Sequence, residues 1–318
     1  MKNLVYLTLV ISIFLIVPAC TGTKINEPVD AEKLSQLDDY YTFMIANDLG
    51  RNGYFDQKPV AAMMGLVADV SGVDFVAALG DVHHFMGVQS VNDPLWMTNF
   101  ELIYDRPELM IPWHPVPGNH EYRGNVQALL DYSGVSRRWQ MPARYYSDDH
   151  SVTDSTDILV VFIDTAPIID KYRSESYGDA SSQDYEKQIR WIDSTLSHSD
   201  ARWKVVMGHH PVYAATTKPE SEQTDMQKRL LPVLEKNGVD MYICGHIHIF
   251  QHIKVKDSKI DFVVNTSGSL DRSPVKRDGL LFTSSEPGFL LCSASDTTLV
   301  ITQVNKAGRV VYQYSRVK

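Results

Sequence analysis

The chain has 318 residues, 44% hydrophobic and 22% charged, which is enough apolar material for one large core and excludes a disordered chain. Its formal charge of −9, with no basic run, excludes a nucleic-acid-binding surface, because such surfaces need Lys and Arg to replace phosphate counterions. A small anionic substrate would therefore need local positive charge, most simply metal ions.

The first 20 residues, MKNLVYLTLVISIFLIVPAC, carry a Lys near the start, an apolar stretch from Leu4 to Val17 and small residues ahead of Cys20. That is the layout of a secretory signal. A retained anchor helix is the weaker reading, because the next ten residues, TGTKINEPVD, turn polar at once and the apolar stretch is short for a span. Cys20 either sits incidentally in a cleaved signal or, since VPAC resembles a bacterial lipoprotein box, is the lipidated first residue of the mature protein. On the second reading residues 1–19 are removed, 20–40 form a flexible tether and 41–318 form a single domain. The protein is then exported and lipid-anchored in a bacterial cell envelope, periplasmic or on the outer surface, and touches membrane only through that anchor. Cys244 and Cys292 are too few for a disulfide framework. They form either one bridge or two buried thiols, each lying in an apolar run.

From Tyr41 onward, short apolar runs alternate with helical periodicities. YTFMIA (41–46), DFVAAL (74–79), ILVVFI (158–163), WKVVM (203–207) and DMYIC (240–244) read as buried strands. Helical spacing joins Val60, Met63, Met64, Val67 and Val70, then Tyr185, Ile189, Ile192 and Leu196, then Met226, Leu230 and Leu234. Beyond residue 248 come strands without helices between them: FQHIKV, IDFVVNT, GFLLCSA, TLVITQV and RVVYQYS. The pattern predicts a layered α/β protein with two sheets, the carboxyl half closing the second.

The chemistry lies in the turns at the strand ends. Asn47-Asp48-Leu49-Gly50, Gly80-Asp81-Val82-His83-His84, Gly118-Asn119-His120-Glu121, Gly208-His209-His210-Pro211 and Gly245-His246-Ile247-His248 each come directly after an apolar run. Any one of these turns is ordinary, since Asp and Asn favour turns and caps. Turn chemistry does not require histidine after successive core strands, however, and the carboxyl ends of strands in α/β sheets line the ligand crevice.

The ordered set GD, GNH, GHxP and GHxH resembles the calcineurin-type metallophosphoesterases, and most of all the purple acid phosphatases of the small tartrate-resistant type. The similarity extends through NVQALLDYSGVSRRWQMPARYY, QIRWIDSTL and LLPVLEKNGVDMYICGHIH. It implies a four-layer α/β/β/α sandwich, a dinuclear metal centre and hydrolysis of phosphate monoesters. It also implies that Asp48 is a first-metal ligand with His248, that Asp81 bridges both metals, and that Asn119, His209 and His246 hold the second. His120 then stabilises or protonates the leaving-group oxygen.

Two departures stand out. The purple phosphatases supply a first-metal tyrosine three residues after the bridging aspartate, and here that place is His84, which is expected to fill the role in preference to His83. A neutral imidazole suits two divalent ions, Fe, Zn or Mn, better than the Fe(III) that a phenolate stabilises. Alternatively, His84 only fills space. In the loop YAATTKPESEQ, where tartrate-resistant enzymes have a substrate-handling histidine, count places Lys218, a candidate substrate contact or a solvated lysine. His83, His210, Glu121 and His114 carry no separate argument. The expected partner is a small phosphorylated substrate and not nucleic acid. Alternative functions are a phosphodiesterase or nucleotide pyrophosphatase on the same centre, a catalytically silent lipoprotein that binds phosphorylated ligands, or a structural metal protein. The last would need closed coordination.

Overall fold

The structure, a computed structural model, describes residues 29–318, so the expected signal segment and Cys20 lie outside the described residues. The strands in chain order are β1 (Tyr41–Ala46), β2 (Val76–Leu79), β3 (Trp113–Val116), β4 (Tyr146–Thr153), β5 (Thr156–Phe162), β6 (Trp203–Met207), β7 (Met241–Cys244), β8 (Phe250–Lys254), β9 (Asp261–Val264), β10 (Leu280–Ser284), β11 (Gly288–Ala294), β12 (Thr298–Asn305) and β13 (Val310–Val317). The α-helices are α1 (Ala31–Leu34), α2 (Gln57–Ser71), α3 (Val126–Asp131), α4 (Tyr185–Ser197), α5 (Ser221–Arg229) and α6 (Leu231–Lys236). A six-stranded sheet runs β13-β12-β11-β1-β2-β3 and a seven-stranded sheet runs β10-β8-β9-β7-β6-β5-β4. Both are mixed: β1, β2 and β3 are parallel while β1 meets β11 antiparallel, and β5, β6, β7 and β9 are parallel with antiparallel strands outside them. This is the expected layered α/β arrangement of two mixed sheets with flanking helices.

The second sheet explains its own unbroken apolar runs. Successive side chains of a strand point to opposite faces. Ile158, Val160 and Phe162 accordingly join a core with Phe43, Ile45 and Phe289 of the first sheet. Leu159, Val161 and Ile163 instead pack with Ile192 and Leu196 of α4, Met226 of α5 and Leu234 of α6. With helices on one face and a sheet on the other, no position on β5 needs a polar residue. On the first sheet, Val60, Met63, Met64 and Val67 of α2 enter the core, each contributing roughly 1.5–3 kcal/mol by burial. Gly72, in the left-handed region at φ 58, ends that helix without the backbone strain that a residue with a Cβ carries at positive φ. Cys244 and Cys292 are both buried free thiols, and they lie in different clusters.

Three local expectations are corrected. The carboxyl strands divide: β8 and β10 complete the second sheet with β9, but β11, β12 and β13 extend the first sheet beyond β1. The expected tether over residues 20–40 is packed at its end, because Leu34 of α1 is buried in the core and the Asp30 N–H donates to the Gly308 carbonyl. The helical periodicity through Met226 and Leu234 is two helices, because Pro232, at the start of α6, has no N–H to continue the ladder from α5.

Candidate metal centre

Five turns meet at the carboxyl ends of β1, β2, β3, β6 and β7, with the first three strands from one sheet and the last two from the other. The site therefore straddles the seam between the sheets. Asp48, Asp81, His246 and His248 all have positive φ, at 52, 53, 71 and 63. For residues with a Cβ this conformation costs of order 1–3 kcal/mol each and persists where the surroundings enforce it, most often at functional sites. Two glycines make the convergence possible. A Cβ on Gly118 would lie 2.2 Å from Asp81 Oδ1, and one on Gly80, itself at φ +80, would lie 2.8 Å from His209 Nδ1.

The side chains form overlapping groups. Asp48, His84 and His248 bring their ligand atoms within 4.8 Å of one another, as do Asp48, Asp81 and His209, and also Asp81, His84 and His120. Asp48 Oδ1 lies 3.0 Å from His248 Nε2. Asp81 Oδ2 lies 3.1 Å from His209 Nε2, 3.5 Å from His84 Nε2 and 3.8 Å from His120 Nε2. His246 Nδ1 is 3.2 Å from His209 Nε2. Asp81 thus sits between the set on Asp48 and the set on His209.

The outward nitrogens fix which lone pairs face inward. His209 Nδ1 donates to the Leu79 carbonyl at 2.8 Å, His248 Nδ1 to Leu270 at 2.7 Å and His120 Nδ1 to Phe85 at 2.7 Å. In each case that assigns the proton to Nδ1 and leaves Nε2 as the inward donor atom. His246 is turned the other way, with its Nε2 2.9 Å from Glu222 Oε2 and its Nδ1 inward. A carboxylate behind a histidine is the usual support of a metal-binding imidazole.

The donor set fits a pair of cations. Asn119 Oδ1 is a buried acceptor without a hydrogen-bond partner, a costly arrangement unless a cation meets it. Burial pushes the Asp48 and Asp81 carboxyls up, but His248 and His209 outweigh it and hold both well below the usual range. His209 is pushed up to about 9, Asp81 overcoming the effect of burial.

The other motif histidines separate cleanly. His83 is fully buried against Trp96, with ring centroids 4.5 Å apart. Neither of its nitrogens has a partner, and burial pushes its pKa down to about 3, so it packs as a neutral ring. His210 bonds Thr165 Oγ1 through Nδ1 at 2.7 Å and lies with His209 and His246 in a further ligand-atom group. His114 packs between Phe75 and Phe162 and is structural. Lys218 is half-buried, its Nζ 2.7 Å from His246 Nε2, so the structure brings it to the site.

Four residues with no sequence argument prove central. Glu222, in α5, backs His246 and pairs with Lys171 at 2.5 Å. Glu121 accepts the N–H groups of Asp81, His83 and Gly118 at 2.8, 2.9 and 2.7 Å, tying the second and third turns together. Asp164 comes just after β5, at a sixth strand end, and accepts from Tyr122, and burial pushes it up to about 7. Arg51 lies just beyond the Asp48 turn, its guanidinium 4.7 Å over the Phe85 ring.

A two-sheet sandwich with Asp, Asn and His on five strand ends defines a metallophosphoesterase. Residues 41–250 match the family of calcineurin-like phosphoesterases, and the chain belongs to that family of metal-dependent phosphoric ester hydrolases, which use a dinuclear centre. It is 31% identical over 297 residues to purple acid phosphatase 3 of Arabidopsis thaliana, covering 89% of this chain and 79% of that one. With tartrate-resistant acid phosphatase type 5 of Sus scrofa it shares 27% over 277 residues, 82% of this chain and 77% of the relative. Among solved structures, GAP50, the anchor in the inner membrane complex of Plasmodium, superposes with a TM-score of 0.73 at 24% identity, covering 88% and 89% of the two chains. The purple acid phosphatase PPD1 of yellow lupin gives 0.60 at 15% identity over 87% of this chain and 54% of that one. At such identities these structures speak for the fold.

Proposed function

We propose that this protein hydrolyses phosphate monoesters at a two-ion centre. Asp48, His84 and His248 would hold one ion, Asn119, His209 and His246 the other, and Asp81 would lie between them. The observation that carries the reading is the position of Asp81, whose Oδ2 lies within 4 Å of His209, His84 and His120 at once. Bound there, two divalent ions would supply Lewis-acid stabilisation of phosphoryl oxygens and an activated water.

The chain's own residues orient the rest. His120 is fixed by the Phe85 carbonyl and keeps its side chain 16% exposed, enough to meet a leaving-group oxygen. Burial pushes its pKa down to about 4, against the pull of Asp81. A phosphoryl dianion arriving beside Nε2 favours the protonated ring that can donate to the departing alkoxide. Lys218 adds a positive charge next to His246.

His84 replaces a phenolate with an imidazole, which supports a centre of two divalent ions with no charge-transfer colour. Export with lipidation at Cys20 belongs to the same proposal, supported by the leader composition. Among the described residues no helix is long and apolar enough to cross a membrane. The test measures metal atoms per chain together with phosphate release from 4-nitrophenyl phosphate and bis(4-nitrophenyl) phosphate. Two divalent atoms and preference for the monoester are expected; a metal-loaded protein that releases nothing, or that prefers the diester, overturns the reading.

A further inference from the structure

Arg51 is 7% exposed, yet its Nε has no hydrogen-bond partner, and no carboxylate pairs with its guanidinium among the described residues. Arg138, the other buried arginine among the described residues, also leaves its Nε without a partner, but its terminal nitrogens are matched: they pair with Glu101 at 2.8 Å and donate to the Tyr104 carbonyl. Burying an unmatched cation is costly, so this position stands out against the rest of the molecule. The conformation is built and not loose. Gln57 Oε1 accepts the N–H groups of Arg51 and Gly53 at 2.9 and 2.8 Å, which fixes the loop. The guanidinium lies over Phe85, whose carbonyl orients His120 and whose ring is 63% exposed. Arg51 is also close enough to Asp48, Asp81 and His84 to act on all three electrostatically, while Arg272, from the loop after β9, acts on both Arg51 and Lys218.

We propose that Arg51 is a substrate-contacting residue: held over Phe85, its unpaired guanidinium takes oxygens of the phosphoryl group bound beside Asp48 and His84, and so favours dianionic monoesters over monoanionic diesters. The inference rests on the phosphoester reading above and deepens it. Arginine suits the position because a planar guanidinium stacks on an aromatic face while presenting a fork of donors to phosphate, which lysine cannot reproduce. The same pairing makes the residue indifferent to the leaving group, since its contacts are with the transferred phosphoryl.

The test uses the metal-loaded chain with Arg51→Met and Arg51→Lys, and reads inorganic phosphate binding by calorimetry, melting temperature without phosphate, and turnover of mono- and bis-(4-nitrophenyl) phosphate. Arg51→Met is expected to weaken phosphate binding about 10- to 100-fold, the loss of a charge-assisted contact, with Arg51→Lys in between. The melting temperature of the ligand-free Met variant is expected to hold or rise, because an unpaired buried charge is gone. The monoester is expected to lose about tenfold more kcat/KM than the diester. A lowered melting temperature with unchanged phosphate affinity would make Arg51 a prop for Phe85 and overturn the proposal. Phosphate binding is read without turnover, so a wild-type protein that binds phosphate but hydrolyses nothing overturns the hydrolase reading alone.

Discussion

Replacing Glu222 by Gln tests whether the site is a metal centre with a supporting carboxylate or only a cluster of buried polar groups. Glu222 is buried and bonds His246 Nε2 at 2.9 Å. Burial raises its pKa, but His210 and Lys171 outweigh that and hold it below the usual range, so it acts as an anion. The glutamine keeps the shape and an acceptor but loses the charge. A charge-assisted hydrogen bond contributes about 1.5–3 kcal/mol and a neutral one about 1, so the support behind His246 weakens by about 1–2 kcal/mol, or roughly five- to thirtyfold in affinity for an ion on Nδ1. Lys171 is 42% exposed on its side chain and loses little by becoming unpaired. Lys218, 2.7 Å from the same imidazole, is no longer offset, which pushes in the same direction. In the proposed assignment Glu222 touches a ligand of only one ion, so an ion at Asp48, His84 and His248 would serve as an internal control. The assay is metal atoms per chain after equilibration across a chelator series. One ion is expected to leave at lower chelator concentration in the variant, while the other stays. Simultaneous loss of both ions, or an unchanged profile in a folded variant, would refute the assignment of Glu222 to His246 and the second ion.

Three further outcomes are expected. His84→Ala should retain one ion per chain in place of two, and the metal-loaded wild type should show no intense visible band; a band that vanishes on reduction contradicts the divalent assignment. Glu121→Ala strands three buried N–H groups and should cost at least about 3 kcal/mol in denaturant unfolding, whereas a change below about 1 kcal/mol would mean that water replaces the carboxylate. Asp164 has a folded pKa raised by burial from 3.8 to about 7, so its protonated form is the one the fold favours. Its contribution is fully present below about pH 4 and lost as pH rises through about 7, up to about 4 kcal/mol. Wild-type stability relative to Asp164→Asn should therefore fall across that window, and parallel pH profiles for the two proteins would discount the buried carboxyl.

What was legible in the sequence was whatever depends on near neighbours. β1 and β6 have the expected bounds because a short apolar run between polar residues is itself the condition for a strand buried on both faces. The five turns were visible because a glycine and the Asp, Asn or His of the turn lie within two residues of each other in sequence. His84, and not His83, is the histidine brought to Asp48 and His248. What was hidden depends on partners chosen by the tertiary fold. Glu222 lies in SEQTDMQKR, which reads as a solvated helical face, and its role comes from a histidine 24 residues away. Glu121 is recognisable only through Asp81, 40 residues before it. The strands β4 and β10 went unread because they lie at the edges of the second sheet, where one half-exposed flank removes the need for an apolar run.

The strand order has a consequence for when the ions are chosen. β1 carries the Asp48 turn, and its neighbours are β2 on one side and β11 on the other; β11 in turn rests on β12, and β12 on β13. The first sheet therefore cannot close until residues 288–317 have arrived, although its first strand is made some 250 residues earlier. Pairings that distant are late events in folding. A growing chain holds Asp48 and Asp81 before β11 has paired with β1 and before the His246 and His248 turn across the seam is made. Ligand geometry selects poorly among divalent ions, so the ions within reach largely decide which are taken. The compartment in which the last three strands dock is thus the first in which the whole ligand set stands together.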